Sequence, residues 1–469
     1  MKQTNSTEGR LGGLAMLLAF PVLALAAVTF ERRWHWFRQD VGRSVALAAD
    51  GGYLVSGETW VDSTEYGIVL ARTDSLGDTI SVHHRLGVAH GSGYVCALFG
   101  GDFVAAGIQN GAHFFAQGFD SSGDSLWSYD SPHRGLVYAL IATSNGGCLI
   151  AGRDSMQDMG LVRLDSAGNE EWFHAYDEPR VQGSYVNGAA EARDSGLILC
   201  GDVTDYIGSY VRMVRTSSAG DTLWTRLLSG PVGPSLQAVC ETPDRGFLAV
   251  GDELDTLQGR NVVYLVHTDS TGATVWTRDV APSDTNAGSE AKALCVTRDS
   301  GYAIAGTIDW GDSARAWLVK LNAGFDTVWT SVLPGKGREQ ASAVWQTPDG
   351  GYVLAGTSDS PSDSILLFKT DSLGHIEVGI AEERPTPCKR IALSVEPNPT
   401  CGDVRVEWSM PAKSAANLDL YDALGRQVFS SSGLRISPFG IRTSSFPQGV
   451  YVLRLESAGG TATEKLVIE

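Results

Sequence analysis

Long apolar runs are scarce in this 469-residue chain: after Leu11–Ala26, none approaches the length that crosses a bilayer. Positive charge is short as well, with 36 Lys and Arg against 54 Asp and Glu and a formal net charge of −18, which argues against nucleic acid as a partner. The chain also lacks H-E-x-x-H, G-x-S-x-G and G-x-x-x-x-G-K, and its nine histidines do not cluster apart from His83-His84. No catalytic residue and no cofactor is therefore expected. Seven cysteines would first suggest disulfides if the chain folds in an oxidising compartment. Yet Cys96, Cys240 and Cys295 occupy the same place in three sequence repeats, where the other copies carry Ala46, Ile141, Ala190 and Trp345. That is a packing position, and Cys148 and Cys200 fall in apolar strands likewise. Cys388 and Cys401 flank one expected strand, which leaves a bridge between them open.

What the chain has is a repeat. A turn, an apolar strand and a closing glycine recur seven times, ending at Gly57, Gly107, Gly152, Gly201, Gly251, Gly306 and Gly356, 45 to 55 residues apart. The first copy reads D-G-G-Y-L-V-S-G and the last D-G-G-Y-V-L-A-G. A period near fifty, all strand and turn, predicts a seven-bladed β-propeller over residues 28–380. The Asp-Gly pairs predict tight type I′ hairpin turns. Continuous apolarity after each turn predicts a strand covered on both faces.

A third strand then ends in a second turn, T-D-S-L-G at Asp74 and T-D-S-T-G at Asp269 among others, and five copies place Trp127, Trp172, Trp224, Trp276 or Trp329 in a fourth strand. These aromatics are expected to cover the seam to the next blade. The last copy lacks a clear fourth strand. Residues 31–39, which carry Trp34 and Trp36, are expected to supply it and close the ring, removing free sheet edges. Basic side chains recur two residues before the second turn, at Arg72, Arg163, Arg215, His267, Lys320 and Lys369, and are expected to pair with turn carboxylates or line a solvated edge.

Residues 1–27 combine Lys2, Arg10, an apolar run and Ala24-Leu25-Ala26, which predicts a signal peptide cleaved after Ala26; a retained membrane anchor is the alternative. Residues 381–390 read as a linker, and 391–469 as a small immunoglobulin-like β-sandwich. Four ordered motifs stand in that region: Pro397-Asn398-Pro399, the L-Y-D-x-L-G-R run with Tyr421, Gly425 and Arg426, Gly449-Val450-Tyr451, and the terminal K-L-V at Lys465. They resemble the type A C-terminal sorting domain of the type IX secretion system. The resemblance implies export from a Gram-negative bacterium through the type IX machinery, to the cell surface or the medium. Thr400-Cys401-Gly402 departs from the family pattern.

Function must lie in what the copies do not share. The loops between second and third strands are acidic, with Glu58, Asp202 and Asp205 and the weak metal candidates Asp154, Asp158, Asp252, Asp255, Asp309, Asp312, Asp359 and Asp363. Carboxylates on one face leave bound Ca²⁺ open, although no loop has the full EF-hand spacing. The leading expectation is a monomeric, non-enzymatic module that binds an extracellular glycan, protein or cation, with no membrane span after signal cleavage. The alternatives are a glycosidase or polysaccharide lyase with carboxylates on those loops, and a structural surface repeat protein. Deleting residues 391–469 is expected to stop export. Immunoblots of periplasm, cell surface and medium check this, and undiminished secretion would remove the sorting reading.

Overall fold

The computed structural model describes residues 28–468, apart from 61–65, 89–92, 99–100, 110–111, 177–180, 229–233, 281–286, 360–361, 377–391, 410–415, 435–438, 458–459 and single positions 122, 207, 336, 397, 401 and 424. The signal peptide with Ala26, the linker 381–390, Pro397, Cys388 and Cys401 lie outside the described residues. Every regular element described is a β-strand, and no described helix is long and apolar enough to cross a membrane. The chain divides into two compact units, one ending at Glu377 and the other beginning at Val378.

The first unit is a propeller built from antiparallel four-stranded meanders. In the first, Gln39–Leu47, Tyr53–Trp60, Tyr66–Thr73 and Thr79–Val88 pair in chain order. Ser125–Ala142 serves twice, ending the second meander and opening the third. Among the described residues the pairings resolve into seven such meanders. Their innermost strands touch one another in order, and the last, Glu339–Gln346, returns to Gln39–Leu47. The seventh meander is completed from the other end of the chain, because Phe30–Trp34 pairs antiparallel with Ser364–Thr370. Second and third strands are buried along almost their whole length, as in Phe103–Gln109 and Ser364–Thr370. Each fully buried Leu, Ile, Val or Phe there contributes about 1.5–3 kcal/mol. Cys96, Cys148, Cys200, Cys240 and Cys295 are all free thiols within this packing.

Two details differ from the sequence reading. The first turn is not type I′. The N–H of Gly51 bonds the carbonyl of Ala48, the N–H of Ala48 bonds that of Gly52, and only Gly51 takes a positive φ, +85°. This is a type I turn closed by one left-handed residue. In the D-S-G and D-R-G copies that place falls to Ser195, Ser300 and Arg245, so the glycine after it is there for space. A Cβ on Gly246 would meet the Thr268 carbonyl oxygen at 2.1 Å. The second difference is at the N-terminus, where the closing strand covers Phe30–Trp34 and the chain turns before Gln39. Phe30, not Trp34 or Trp36, lies opposite Lys369 in the register where Trp224, Trp276 and Trp329 lie opposite Arg215, His267 and Lys320. Alignment on the aromatics alone misplaces it by four residues.

The outer aromatics seal the seams. Trp127, His174, Trp224, Trp329 and Phe30 lie against the second-turn glycines of the next meander, Gly168, Gly220, Gly272, Gly374 and Gly77, where a Cβ would fall 2.4 to 2.8 Å from a neighbouring side chain. Where Phe325 replaces the glycine, Trp276 packs edge-on to it at 5.0 Å. The recurring basic residues bury their heads beside carboxylates of the first turn: Lys320 beside Asp299 and Lys369 beside Asp349, both at 2.9 Å, His267 near Asp244 at 3.4 Å, and Arg72 to Asp50 at 2.6 Å. The third meander has Asn145 in that turn, and Arg163 pairs with Glu171 instead, at 2.9 Å.

Five of the closing glycines answer a bulge. Opposite each the inner strand carries one extra residue, and the register slips past Arg43, Tyr138, Gln237, Lys292 and Ser342. The bulge drives a carbonyl onto the glycine. A Cβ would lie 2.1 Å from the Val41 oxygen at Gly57, and 1.7 to 1.9 Å from those of Leu136, Tyr185, Ser235, Glu290 and Gln340 at Gly152, Gly201, Gly251, Gly306 and Gly356.

The second unit is a two-sheet sandwich of immunoglobulin-like form. Ala392–Glu396, Val404–Ser409 and Phe439–Ile441 make one sheet; Gln427–Leu434, Ala416–Tyr421, Gly449–Ser457 and Gly460–Ile468 make the other. Val406, Trp408, Leu418, Leu453 and Leu466 meet in its core.

Gly251→Ala is expected to lower the unfolding free energy by about 1–3 kcal/mol, read from denaturant curves, because the Ser235 carbonyl leaves no room for a methyl. Acid should also weaken the ring. Burial alone would raise the Asp299 carboxyl, but hydrogen bonds from Thr297, Lys320 and the Gly301 N–H, with the lysine charge, hold its pKa down to about 2. A folded pKa below the unfolded value of about 4 gives stability that is present above pH 4 and lost as pH falls toward 2. Asp299→Asn is expected to flatten that part of a stability-versus-pH curve.

Candidate functional site

The bulge does more than constrain the glycine. In five copies the bulge residue stands fourteen positions before the closing glycine, at Arg43, Tyr138, Gln237, Lys292 and Ser342, and the same offset reaches Gly93 and Asn187 in the other two. Apart from Gly93, each of these positions carries a side chain, and no two are alike. Just past the glycine, on the second strand, stand Glu58, Arg153, Asp202 and Asp252 in four of the copies. The two sets interact. Arg43 meets Glu58 at 2.9 Å, and the Asn187 amide donates to Asp202 at 2.8 Å. Lys292 pairs with Glu290 at 2.9 Å, and the Asn261 amide reaches both Asp252 and Glu290 at 3.3 Å.

Between the third, fourth and fifth meanders these side chains border a cleft of about 320 Å³. Three tyrosines line it: Tyr138 from the third meander's bulge, Tyr185 from the break in the fourth's inner strand, and Tyr210 from its third strand. Tyr138 and Tyr185 meet edge to face with centroids 6.2 Å apart. Arg153 lies over the Tyr185 ring at 4.7 Å and donates to its hydroxyl at 2.9 Å, which fixes that ring. Asn187, Asp202 and Ser235 form the polar side of the cleft, with Thr204 and Pro234 beside them. Asp202 accepts from Asn187, from the Ser235 hydroxyl at 3.1 Å and from the Leu236 N–H at 3.4 Å. Burial nonetheless lifts its carboxyl above the usual range, outweighing those donors and Lys292. Asp252, the cross-strand partner of Ser235, is lifted to about 6, chiefly by burial; Lys292 opposes this, and the charges of Glu290 and Asp202 add to it.

The metal candidates do not gather into one site. Asp154 is a buried turn cap, its Oδ1 accepting the N–H groups of Met156 and Asp158 at 2.8 and 2.9 Å, and Asp158 is half-buried beside it. Asp255 caps its own turn through Leu257 and Gln258. Asp309 accepts from the Gly311 N–H and from the Arg338 guanidinium, while Asp359 accepts from the Arg338 N–H. Asp312 takes the Ser313 hydroxyl at 3.3 Å, and the Asp363 carbonyl takes the Asp40 N–H at 3.2 Å. Among the described residues no group of three or more His, Cys, Asp or Glu is placed to hold a metal ion. Of the eight candidates only Asp252 neighbours the cleft. Sequence reading missed Tyr138, Tyr185, Tyr210, Asn187, Ser235 and Lys292. The fixed fourteen-residue offset was the signal for Tyr138, Asn187 and Lys292; Tyr185 and Tyr210 carried none.

In the sandwich, several motif residues turn out to hold the fold. The Asn398 amide donates to the Lys465 carbonyl at 2.5 Å, and its oxygen accepts the Val467 N–H at 2.9 Å, so the segment containing Pro399 clasps the terminal strand. Tyr451 is buried and donates to the Pro447 carbonyl at 2.7 Å. After Tyr421, Asp422 caps a turn that Gly425 completes at φ +75°, and Arg426 pairs back to Asp422 at 2.8 Å. Gly449 opens the strand that ends at Ser457. Arg426, Lys465 and Pro399 present exposed surface.

Residues 394–469 match the family described as Secretion system C-terminal sorting domain. No curated protein matches the chain. Among solved structures, the β-propeller domain of the Trilobed protease from Pyrococcus furiosus is similar at 9% identity and a TM-score of 0.42, covering 74% of this chain and 99% of that one. The propeller fold rests on the strand pairing described above, independently of that likeness. The chain ends in a secretion-system sorting domain, which marks it for export to the cell surface or the medium.

Proposed function

We propose that residues 28–380 form a seven-bladed propeller, delivered outside the cell by the sorting domain at 391–469, and that the propeller is a non-enzymatic binding module. Its ligand would dock on the face where the bulged and post-glycine residues gather. The observation that carries this reading is the division of labour in the repeat. Turns, buried strands, seam aromatics and the ion pairs at the first turn recur and hold the ring, whereas the positions fourteen residues before the closing glycine differ in every copy, and two of them, Tyr138 and Asn187, line the cleft.

One observation favours a catalytic reading as the alternative. Asp202 and Asp252 both have raised carboxyl pKa values beside an aromatic cleft, the environment a general acid needs in a glycosidase or lyase. Affinity electrophoresis of the purified chain through a panel of polysaccharides, paired with assays for new reducing ends and unsaturated uronates, separates the readings. Retarded migration without cleavage is expected. Cleavage of any polysaccharide would establish the enzyme instead. Neither retardation nor cleavage, with no thermal shift on adding calcium, would leave a structural surface repeat protein.

A further inference from the structure

The cleft between the third, fourth and fifth meanders is narrow enough in its chemistry to suggest what it takes. Its volume of about 320 Å³ lies near the lower end of small-molecule sites, about 300–1,000 Å³, and suits one or two sugar rings better than a folded partner. Three tyrosines supply apolar, electron-rich faces at low entropic cost, and one of them is fixed by Arg153. Such faces stack on the C–H surface of a pyranose. Opposite them stand groups suited to hydroxyls: the Asp202 carboxylate as acceptor, with the Asn187 amide and the Ser235 hydroxyl oriented by their bonds to it.

Charge narrows the class further. Asp202, Asp252 and Glu290 face this end of the ring from three successive meanders, and the nearby Lys292 is already paired with Glu290. The Arg153 guanidinium is held on Tyr185. A uronate or sulfated sugar would therefore bring like charge into a partly desolvated acidic site, whereas a hydroxyl or ammonium would not.

We propose that this cleft is a carbohydrate subsite for a neutral or amino-bearing pyranose, stacked on Tyr138 and Tyr210 and hydrogen-bonded by Asp202, and that it excludes acidic sugars. The proposal rests on the binding reading above and names its ligand class. The test is calorimetric titration of the full chain with neutral gluco-, manno- and galacto-oligosaccharides, with chitosan oligomers and with oligogalacturonate. It is repeated on Tyr138→Ala, Tyr210→Ala and Asp202→Asn, with melting temperatures to confirm folding. Asp202 also anchors Asn187 and the Leu236 backbone, so the two tyrosine variants keep the test decisive if Asp202→Asn fails to fold. Binding of a neutral or amino oligosaccharide, weakened about tenfold or more by each tyrosine variant at a melting temperature changed by less than about 3 °C, supports the subsite. Equal binding by wild type and both tyrosine variants would overturn it while leaving the binding module standing elsewhere on the propeller. Preferential binding of oligogalacturonate would overturn the ligand class. No binding of any sugar would overturn the subsite, and the module would then stand or fall with a protein or cationic ligand.

Discussion

A carbonyl oxygen resting on a glycine is the contact on which the propeller depends. In five meanders the inner strand bulges by one residue, and its backbone is pushed against the strand behind it at a distance no side chain would tolerate. Hydrogen is the only substituent that fits there, and the glycine recurs in all seven copies where the rest of its strand varies among Leu, Val, Ile, Ala, Phe, Tyr, Ser and Cys. The same bulge turns one further residue of those meanders out of the ladder. Because that residue is free of pairing geometry, it can change from copy to copy without disturbing the ring. A structural constraint and a variable display position thus arise from one local irregularity.

The two ends of each hairpin treat carboxylates in opposite ways. At the first-turn end, Asp299 and Asp349 sit open to water beside a buried lysine head, and hydrogen bonds and charge lower both carboxyl pKa values, that of Asp299 to about 2. At the cleft end, Asp202 and Asp252 are largely buried, share one lysine between them and are pushed the other way. The chemical group is the same. Burial and the nearby donors and cations decide which way its pKa moves.

Much of the scaffold was legible in the sequence, because scaffold is what repeats. Period, burial of the second strand and free cysteines in packing positions follow from composition and spacing. The turn type was misread because D-G suits two different hairpins, and only backbone φ values separate them; Ser195, Arg245 and Ser300 in the left-handed place exclude the tighter one. Phe30, and not the larger Trp34 or Trp36, takes the outer aromatic place because strand register follows the hydrogen-bond ladder, which sets Phe30 opposite Lys369. The acidic loop residues drew notice as a group, yet most of them cap their own turns or meet Arg338.

The sequence by itself determined a secreted, all-β repeat with a sorting domain, since glycine spacing, apolar periodicity and short ordered motifs act locally and survive being read in one dimension. Tertiary structure alone decided the site. Tyr138, Tyr185, Tyr210 and Ser235 come from three meanders and are separated by 97 positions between first and last, so no window of sequence contains them together. They meet only because a closed ring brings successive inner strands side by side, where neighbouring copies complete a cleft that none could form alone.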